Sequence, residues 1–174
     1  MIICITGNGK GKTTSSIGQA IRALGDGKKV LMVQFIKGPW KSGEDLFIEK
    51  FGKQISFDIK KTGLGFVGIL GDKLPIEEHQ KAAKKGVKLA QKEMLSNKWS
   101  LLILDEVHNA LRLNLLKLSD VLDLISLLPG GMDLILTGRD APKEIIDLSD
   151  IVSEIKEIKH PYMKGQKGEK GVEW

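Results

Sequence analysis

Thr6-Gly7-Asn8-Gly9-Lys10-Gly11-Lys12-Thr13-Thr14 decides the fold. It follows the apolar run Ile2-Ile3-Cys4-Ile5 and precedes a helix-like segment from Ser15 to Leu24. That strand–loop–helix order is what a phosphate-binding loop requires. Glycines let successive backbone N–H groups turn toward one anion, and the helix N-terminus adds partial positive charge. Lys12 can reach the β/γ-phosphates, and the Thr13 hydroxyl can ligate Mg²⁺. The strict pattern has a glycine where Thr6 stands. A glycine-rich turn with solvated lysines is the plainer reading, but the strand before and Gly-Lys-Thr after select a nucleoside triphosphate site.

Outward from the loop, hydrophobic runs recur at α/β spacing. Val30 to Phe35 reads as a second strand, Glu44 to Phe51 as a short helix, and Ile55 to Ile59 as an alternating strand. Gly63 to Asp72 is glycine-rich and loop-like. Pro75 to Leu95 carries Ala83, Val87, Ala90 and Met94 on one stripe, which predicts a long helix. Leu101 to Leu104 is apolar throughout, as a strand buried on both faces of a parallel sheet should be. Leu115 to Leu128 reads as a helix, Leu134 to Leu136 as a buried strand, Pro142 to Leu148 as a helix, and Ile151 to Ile158 as a last strand. The expected fold is one α/β domain over residues 1–174, of the P-loop NTPase (RecA-like) kind. Its sheet is mostly parallel, with helices on both faces.

Ligands bind such sheets at the carboxyl ends of the strands. Asp105-Glu106 stand there after the buried run, where carboxylates hold Mg²⁺ beside a phosphate loop; a helix N-cap is the alternative. His108, close by, reads as packing or as solvent-exposed, not as a ligand. Arg139, after the next apolar run, is matched to triphosphate or ribose, or to a local carboxylate. Gln34, Lys37 and Trp40 leave the second strand toward the same rim; a tryptophan there stacks on a flat ligand or joins the core. No Ser–His–Asp or Cys–His arrangement and no obvious general base accompany them.

Composition excludes several classes. Charged residues are 28% and hydrophobic ones 41%, as in a globular protein, and no apolar run approaches a membrane span. The start lacks a basic region and a cleavage site, so no signal peptide is expected. Cys4 is the only cysteine, which rules out an intrachain disulfide and suggests the cytoplasm. The 27 Lys and Arg against 22 Asp and Glu give +5, much of the excess near the C-terminus at Lys156, Lys159, Lys164, Lys167 and Lys170. A basic edge attracts anions, though such tails are commonly plain solvated surface.

Taken in order, five segments resemble the P-loop type of ATP:corrinoid adenosyltransferase. They are the loop at 6 to 14, Gln-Phe-Ile-Lys-Gly-Pro-Trp at 34 to 40 with Gly43-Glu44, and Leu-Asp-Glu at 104 to 106. Leu-Thr-Gly-Arg at 136 to 139 follows, then Lys-His-Pro-Tyr at 159 to 162 with Lys170 to Trp174. The Thr6 departure is itself usual in that family.

The resemblance implies transfer of the 5′-deoxyadenosyl group of ATP to cobalt(I) of a reduced corrinoid, with release of triphosphate. Cobalt(I) is already a strong nucleophile, which accounts for the missing base. The family binds ATP in reverse along its loop, exposing C5′. Carried over, Gly7, Asn8, Gly9, Lys10, Gly11, Lys12, Thr13 and Thr14 bind ATP with Gln34 and Arg139. Lys12, Thr13 and Glu106 are the catalytic set. Thr13 and Glu106 ligate Mg²⁺, supported by Asp105, and Trp40, Gly65 and Phe66 contact the corrinoid. The implied partners are an electron-donor flavoprotein and a second copy in a homodimer, with neither nucleic acid nor membrane.

Two departures stand out. The family's corrinoid loop commonly reads Gly-Phe-Thr-Trp, its aromatics displacing the lower cobalt ligand. Here Gly65-Phe66-Val67-Gly68 puts glycine in the place of tryptophan. The chain also starts at its first strand, so the N-terminal helix with which some members cover a partner's corrinoid is expected to be missing. The tail or the 63–72 loop would then cover it.

The rivals are a nucleic-acid-dependent ATPase, a small-molecule kinase, and a non-catalytic corrinoid or nucleotide binding module. Asp105-Glu106-Val107-His108 reads like a helicase box, but one domain and no basic-aromatic stacking surface weaken the first.

Overall fold

The computed structural model describes all residues except 70, 162–164, 167 and 174. Tyr162 and Trp174 of the C-terminal motif, and Lys164 and Lys167 of the basic tail, therefore lie outside the described residues. The order is β1 (Ile2–Thr6), α1 (Lys12–Gly25), β2 (Val30–Gln34), α2 (Gly43–Ile55), β3 (Phe57–Lys61) and α3 (Ile76–Met94). Then come β4 (Leu101–Asp105), α4 (Val107–Arg112), α5 (Leu118–Ser126), β5 (Asp133–Thr137), α6 (Lys143–Leu148) and β6 (Ile151–Glu154). The strands form one sheet in the order β3-β2-β4-β5-β1-β6, and every pairing is parallel.

Strand alternation sorts the apolar side chains into two layers. Val30, Met32, Leu101, Ile103 and Ile135 pack against Ala20 and Ala23 of α1 and Ile48 of α2. Leu31, Val33, Leu102, Leu104, Leu134 and Leu136 face the other side, against Ala83, Ala90 and Met94 of α3, Leu124 of α5 and Ile145 of α6. The α/β sheet with helices on both faces is therefore as the sequence predicts.

Among the differences, three boundaries shift and one helix is added. Ile55 closes α2 instead of opening a strand, because Ser56 turns left-handed (φ 52°) and β3 begins at Phe57. The predicted helix from Leu115 starts only at Leu118; Leu115 and Leu116 are buried in the preceding turn, where the Leu115 N–H donates to Ala110 O at 2.9 Å. The short helix α4 is an addition. The last strand stops at Glu154, since Ile155 leaves the ladder to engage the phosphate loop.

Candidate active site

The phosphate loop bridges β1 and α1, and the helix begins at Lys12 with Gly11 as its cap at φ 122°. No side chain caps this end and no acidic residue sits in the first turn. Its free N–H groups and dipole are thus left for an anion. Ile155 braces the loop from behind. Its N–H donates to Thr6 O at 2.8 Å, and its carbonyl accepts the Gly9 N–H at 2.8 Å. A Cβ on Gly7 would lie 2.4 Å from Ile155 O, and one on Gly9 2.8 Å from the Lys156 carbonyl. Both glycines are thus required by close packing, and the Gly9 amide is committed to Ile155. Thr6 uses its side chain: Oγ1 accepts the Ala141 N–H at 3.1 Å, tying the loop to the segment after β5. Lys12 Nζ donates to Gly9 O at 2.7 Å. Burial, and then Arg139, hold its pKa below the usual lysine value.

β4 lies between β2 and β5, so the ends of three strands converge on Asp105. Gln34 is the register partner of Asp105. Asp105 is fully buried and accepts three hydrogen bonds. Thr13 Oγ1 and Thr137 Oγ1 each reach Oδ1 at 2.8 Å, and Gln34 Nε2 reaches Oδ2 at 3.0 Å. The Thr137 hydroxyl also accepts the Glu106 N–H at 3.0 Å. Glu106 occupies the N-cap position of α4 in the left-handed region, φ 61° and ψ 21°, without a side-chain cap bond. The N-cap alternative therefore does not describe this carboxylate. Burial, and then the neighbouring Asp105 charge, raise its pKa to about 7.

Two carboxylates and a threonine hydroxyl at the foot of the loop are hard oxygen donors, and the raised Glu106 marks a place where a cation relieves repulsion. These residues fit Mg²⁺ shared with a triphosphate. Among the described residues, no group of three or more His, Cys, Asp or Glu side chains could hold an ion by themselves. Mg²⁺ needs only one or two carboxylates when phosphates complete its shell.

A cleft of about 820 Å³ opens above these groups. Lys10, Gly11, Lys12, Thr13 and Thr14 form its loop wall, with Glu106 and exposed Arg139 opposite. Among the described residues Arg139 shows no side-chain ion pair; its N–H donates to Asn109 Oδ1 at 2.7 Å. Gly7, Asn8, Gly9, Gln34 and Asp105 do not line the cleft. Gln34 is fully buried beneath, its Nε2 facing Asp105 and also Glu44 Oε1 at 3.5 Å. Two carboxylates fix that amide orientation, and its Oε1 has no partner among the described residues.

Sequence reasoning placed Lys37 on this rim but missed its partner, and it gave Glu44 and Thr137 no role. Lys37 is hydrogen-bonded to Glu44, and both line the cleft. Burial opposes charge on each, yet their pairing leaves Lys37 with a raised pKa and Glu44 with a lowered one. Thr137, Glu44 and Gly171 to Glu173 all stood inside quoted motifs without a role of their own, and the last three also line the cleft. His108 is fully buried, its nitrogens unpartnered among the described residues, and burial pushes its pKa down to about 4. It is a neutral packing group.

Trp40 sits on the loop between Lys37 and Glu44, half exposed, and stacks on Phe66 with centroids 5.6 Å apart and planes at 27°. Gly65 (φ 112°) allows this, since a Cβ there would lie 2.4 Å from the indole. The Gly65 N–H donates to Ile36 O at 3.0 Å, joining the two loops. The structure thus brings Trp40, Gly65 and Phe66 together, and the neighbours of Trp40 on its own loop face the cleft.

Solved structures resemble this arrangement in fold. A KaiC-like protein from Pyrococcus horikoshii superposes with a TM-score of 0.50 at 18% identity, covering 91% of this chain and 74% of that one. Sequence relatives are nearer. A corrinoid adenosyltransferase of Salmonella typhimurium is 37% identical over 100% of this chain and 85% of its own length. Those of Escherichia coli K12 and Pseudomonas aeruginosa are 34% and 35% identical, again over 100% of this chain, and over 85% and 83% of their own lengths. The family described as ATP:corrinoid adenosyltransferase BtuR/CobO/CobP matches residues 1–174, and the chain belongs to it.

Proposed function

We propose that this protein transfers the 5′-deoxyadenosyl group of ATP to cobalt(I) of a corrinoid, releasing triphosphate. One observation carries the reading: a phosphate-loop cleft and an exposed aromatic pair meet on one rim. Trp40 lies between Lys37 and Glu44, which line the cleft. Lys10 to Thr14 take the triphosphate, with Gln34 fixing Asp105 below and Arg139 facing the loop. Trp40, Gly65 and Phe66 offer a flat apolar surface to the macrocycle.

In the transfer, the cobalt(I) electron pair forms the cobalt–C5′ bond. The bond from C5′ to the α-phosphate oxygen breaks, and its pair leaves on triphosphate. Cobalt becomes formally cobalt(III), and no proton moves. The protein's work is therefore alignment and charge stabilisation. Lys12 and the N–H groups opening α1 meet the leaving anion. Thr13 and Glu106 would hold Mg²⁺, with Asp105 behind them, and the ion would neutralise charge on the departing triphosphate. Asp105, held by three donors, keeps Thr13 in place.

The same reading makes the protein a cytoplasmic homodimer supplied with electrons by a flavoprotein, without nucleic-acid or membrane partners. Its support is the family resemblance and the lone buried thiol of Cys4. Among the described residues no helix is long and apolar enough to cross a membrane. Phosphorus NMR of the products tests the chemistry. Triphosphate formed only with reduced corrinoid supports transfer, whereas ADP and phosphate would identify the ATPase or kinase.

A further inference from the structure

Between residues 63 and 69, Val67 packs against the core while the other apolar side chains face outward. Leu64, Phe66 and Ile69 are 39%, 45% and 60% exposed. A loop with that composition lowers its free energy by folding its aromatic onto the core, unless something prevents it. At its far end Asp72 does the opposite of its neighbours and is nearly buried, its side chain 8% exposed beside a His79 side chain at 2%.

The Asp72 carboxylate gathers three donors. Oδ2 accepts the Gly68 N–H at 2.9 Å and meets His79 Nε2 at 3.0 Å, while Oδ1 accepts the Leu74 N–H at 3.1 Å. With a carboxylate as partner, His79 carries its proton on Nε2. The Gly68 amide, and then the Leu74 amide, hold the Asp72 pKa below the usual carboxylate range. His79 belongs to the first turn of α3, a nineteen-residue helix seated closely on the sheet side. A Cβ on Gly86 of that helix would lie 2.6 Å from Thr62 Oγ1 and 2.9 Å from the Phe35 ring. The clamp therefore joins the aromatic loop, two residues past Phe66, to a rigid element.

Trp40 has a matching restraint. Lys61 Nζ donates to Trp40 O at 2.8 Å and to Asp45 Oδ2 at 2.6 Å, and Asp45 also accepts the Ser42 N–H at 2.7 Å. Trp40 is thus tethered through its own carbonyl to Lys61, and Phe66 through the Gly68 amide two residues on to Asp72.

We propose that Asp72 and His79 are positioning residues for the corrinoid: they hold the 63–72 loop so that Phe66 stays stacked on Trp40 and open to the macrocycle before it arrives. This rests on the corrinoid reading above. The loop contributes one aromatic side chain, so the second ring of the surface comes from Trp40, and the clamp sets their relation.

The test is a pair of equilibrium titrations, cob(II)inamide by absorbance and Mg-ATP by calorimetry, on wild type, Asp72→Ala, His79→Ala and His79→Gln. Glutamine keeps a donor near the position of Nε2. The expected result is about ten-fold or greater weakening of cob(II)inamide binding in both alanine variants, with ATP affinity within about two-fold of wild type and substantial rescue by His79→Gln. Unchanged corrinoid affinity in Asp72→Ala overturns the proposal. So does a parallel loss of both ligands in all three variants, which marks a structural role only. A wild type that binds Mg-ATP and no corrinoid would instead remove the functional reading itself, and the clamp's role with it.

Discussion

Glu106 shows how a single residue is tuned. Its carboxyl, ordinarily near 4.5, is raised to about 7 by burial and by Asp105. Between those values the folded protein retains a proton that the unfolded chain has lost, so stability falls as pH rises through the window. The ligand-free Glu106→Gln variant is expected to melt about 3 °C or more above wild type at pH 8, with the gap closing near pH 4.5. A gap that is the same at both pH values would contradict this. Lys12→Ala should weaken Mg-ATP binding or transfer by about a hundred-fold or more, since Lys12 reaches back over the loop to Gly9 O; steady-state kinetics reads it. Cys4 is buried with its thiol pushed up to about 11. It should therefore resist a thiol reagent at neutral pH in the native protein and react fully once the chain is unfolded.

At the level of elements, β1, the phosphate loop and the segment after β6 meet at a closely packed junction. Gly9→Ala places a methyl against the Lys156 carbonyl and opposes the Gly9–Ile155 hydrogen bond. It should lower stability by about 1–3 kcal/mol and weaken triphosphate binding as well, which denaturant melts and calorimetry would show together. An alanine tolerated on both counts would mean the brace does not shape the loop. This junction also explains what the sequence hid. Ile2 to Thr14 reads directly as strand and phosphate loop, because glycine, lysine and hydroxyl spacing is local chemistry. Ile155 looked like one more strand residue, since a local pattern cannot say that its backbone leaves the ladder to hold a loop almost 150 residues earlier. Similarly, α4 has only six residues after a buried strand, too few to display a helical stripe. Asp105 and Glu106 were legible as carboxylates at a strand end. Their division of labour was not, because it depends on Thr137 and Gln34 from neighbouring strands. The Trp40–Phe66 stack is likewise a contact between separate loops, and the Lys37–Glu44 pair joins a loop to the first turn of α2.

Across the whole molecule, six parallel strands deliver their carboxyl ends to one edge, where a phosphate loop, two carboxylates and an aromatic rim stand together. The organisation explains why no catalytic base is needed. The cobalt nucleophile arrives activated, and the protein supplies a fixed place for the leaving triphosphate and another for the macrocycle. The decisive measurement follows cobalt(I) absorbance under anaerobic conditions with Mg-ATP, reduced cobalamin and the protein. The account predicts protein-dependent loss of the cobalt(I) signal, a photolabile alkyl-cobalt product and a matching yield of triphosphate, all abolished in Lys12→Ala. Persistence of cobalt(I) while ATP is bound, or consumed to ADP, would contradict it.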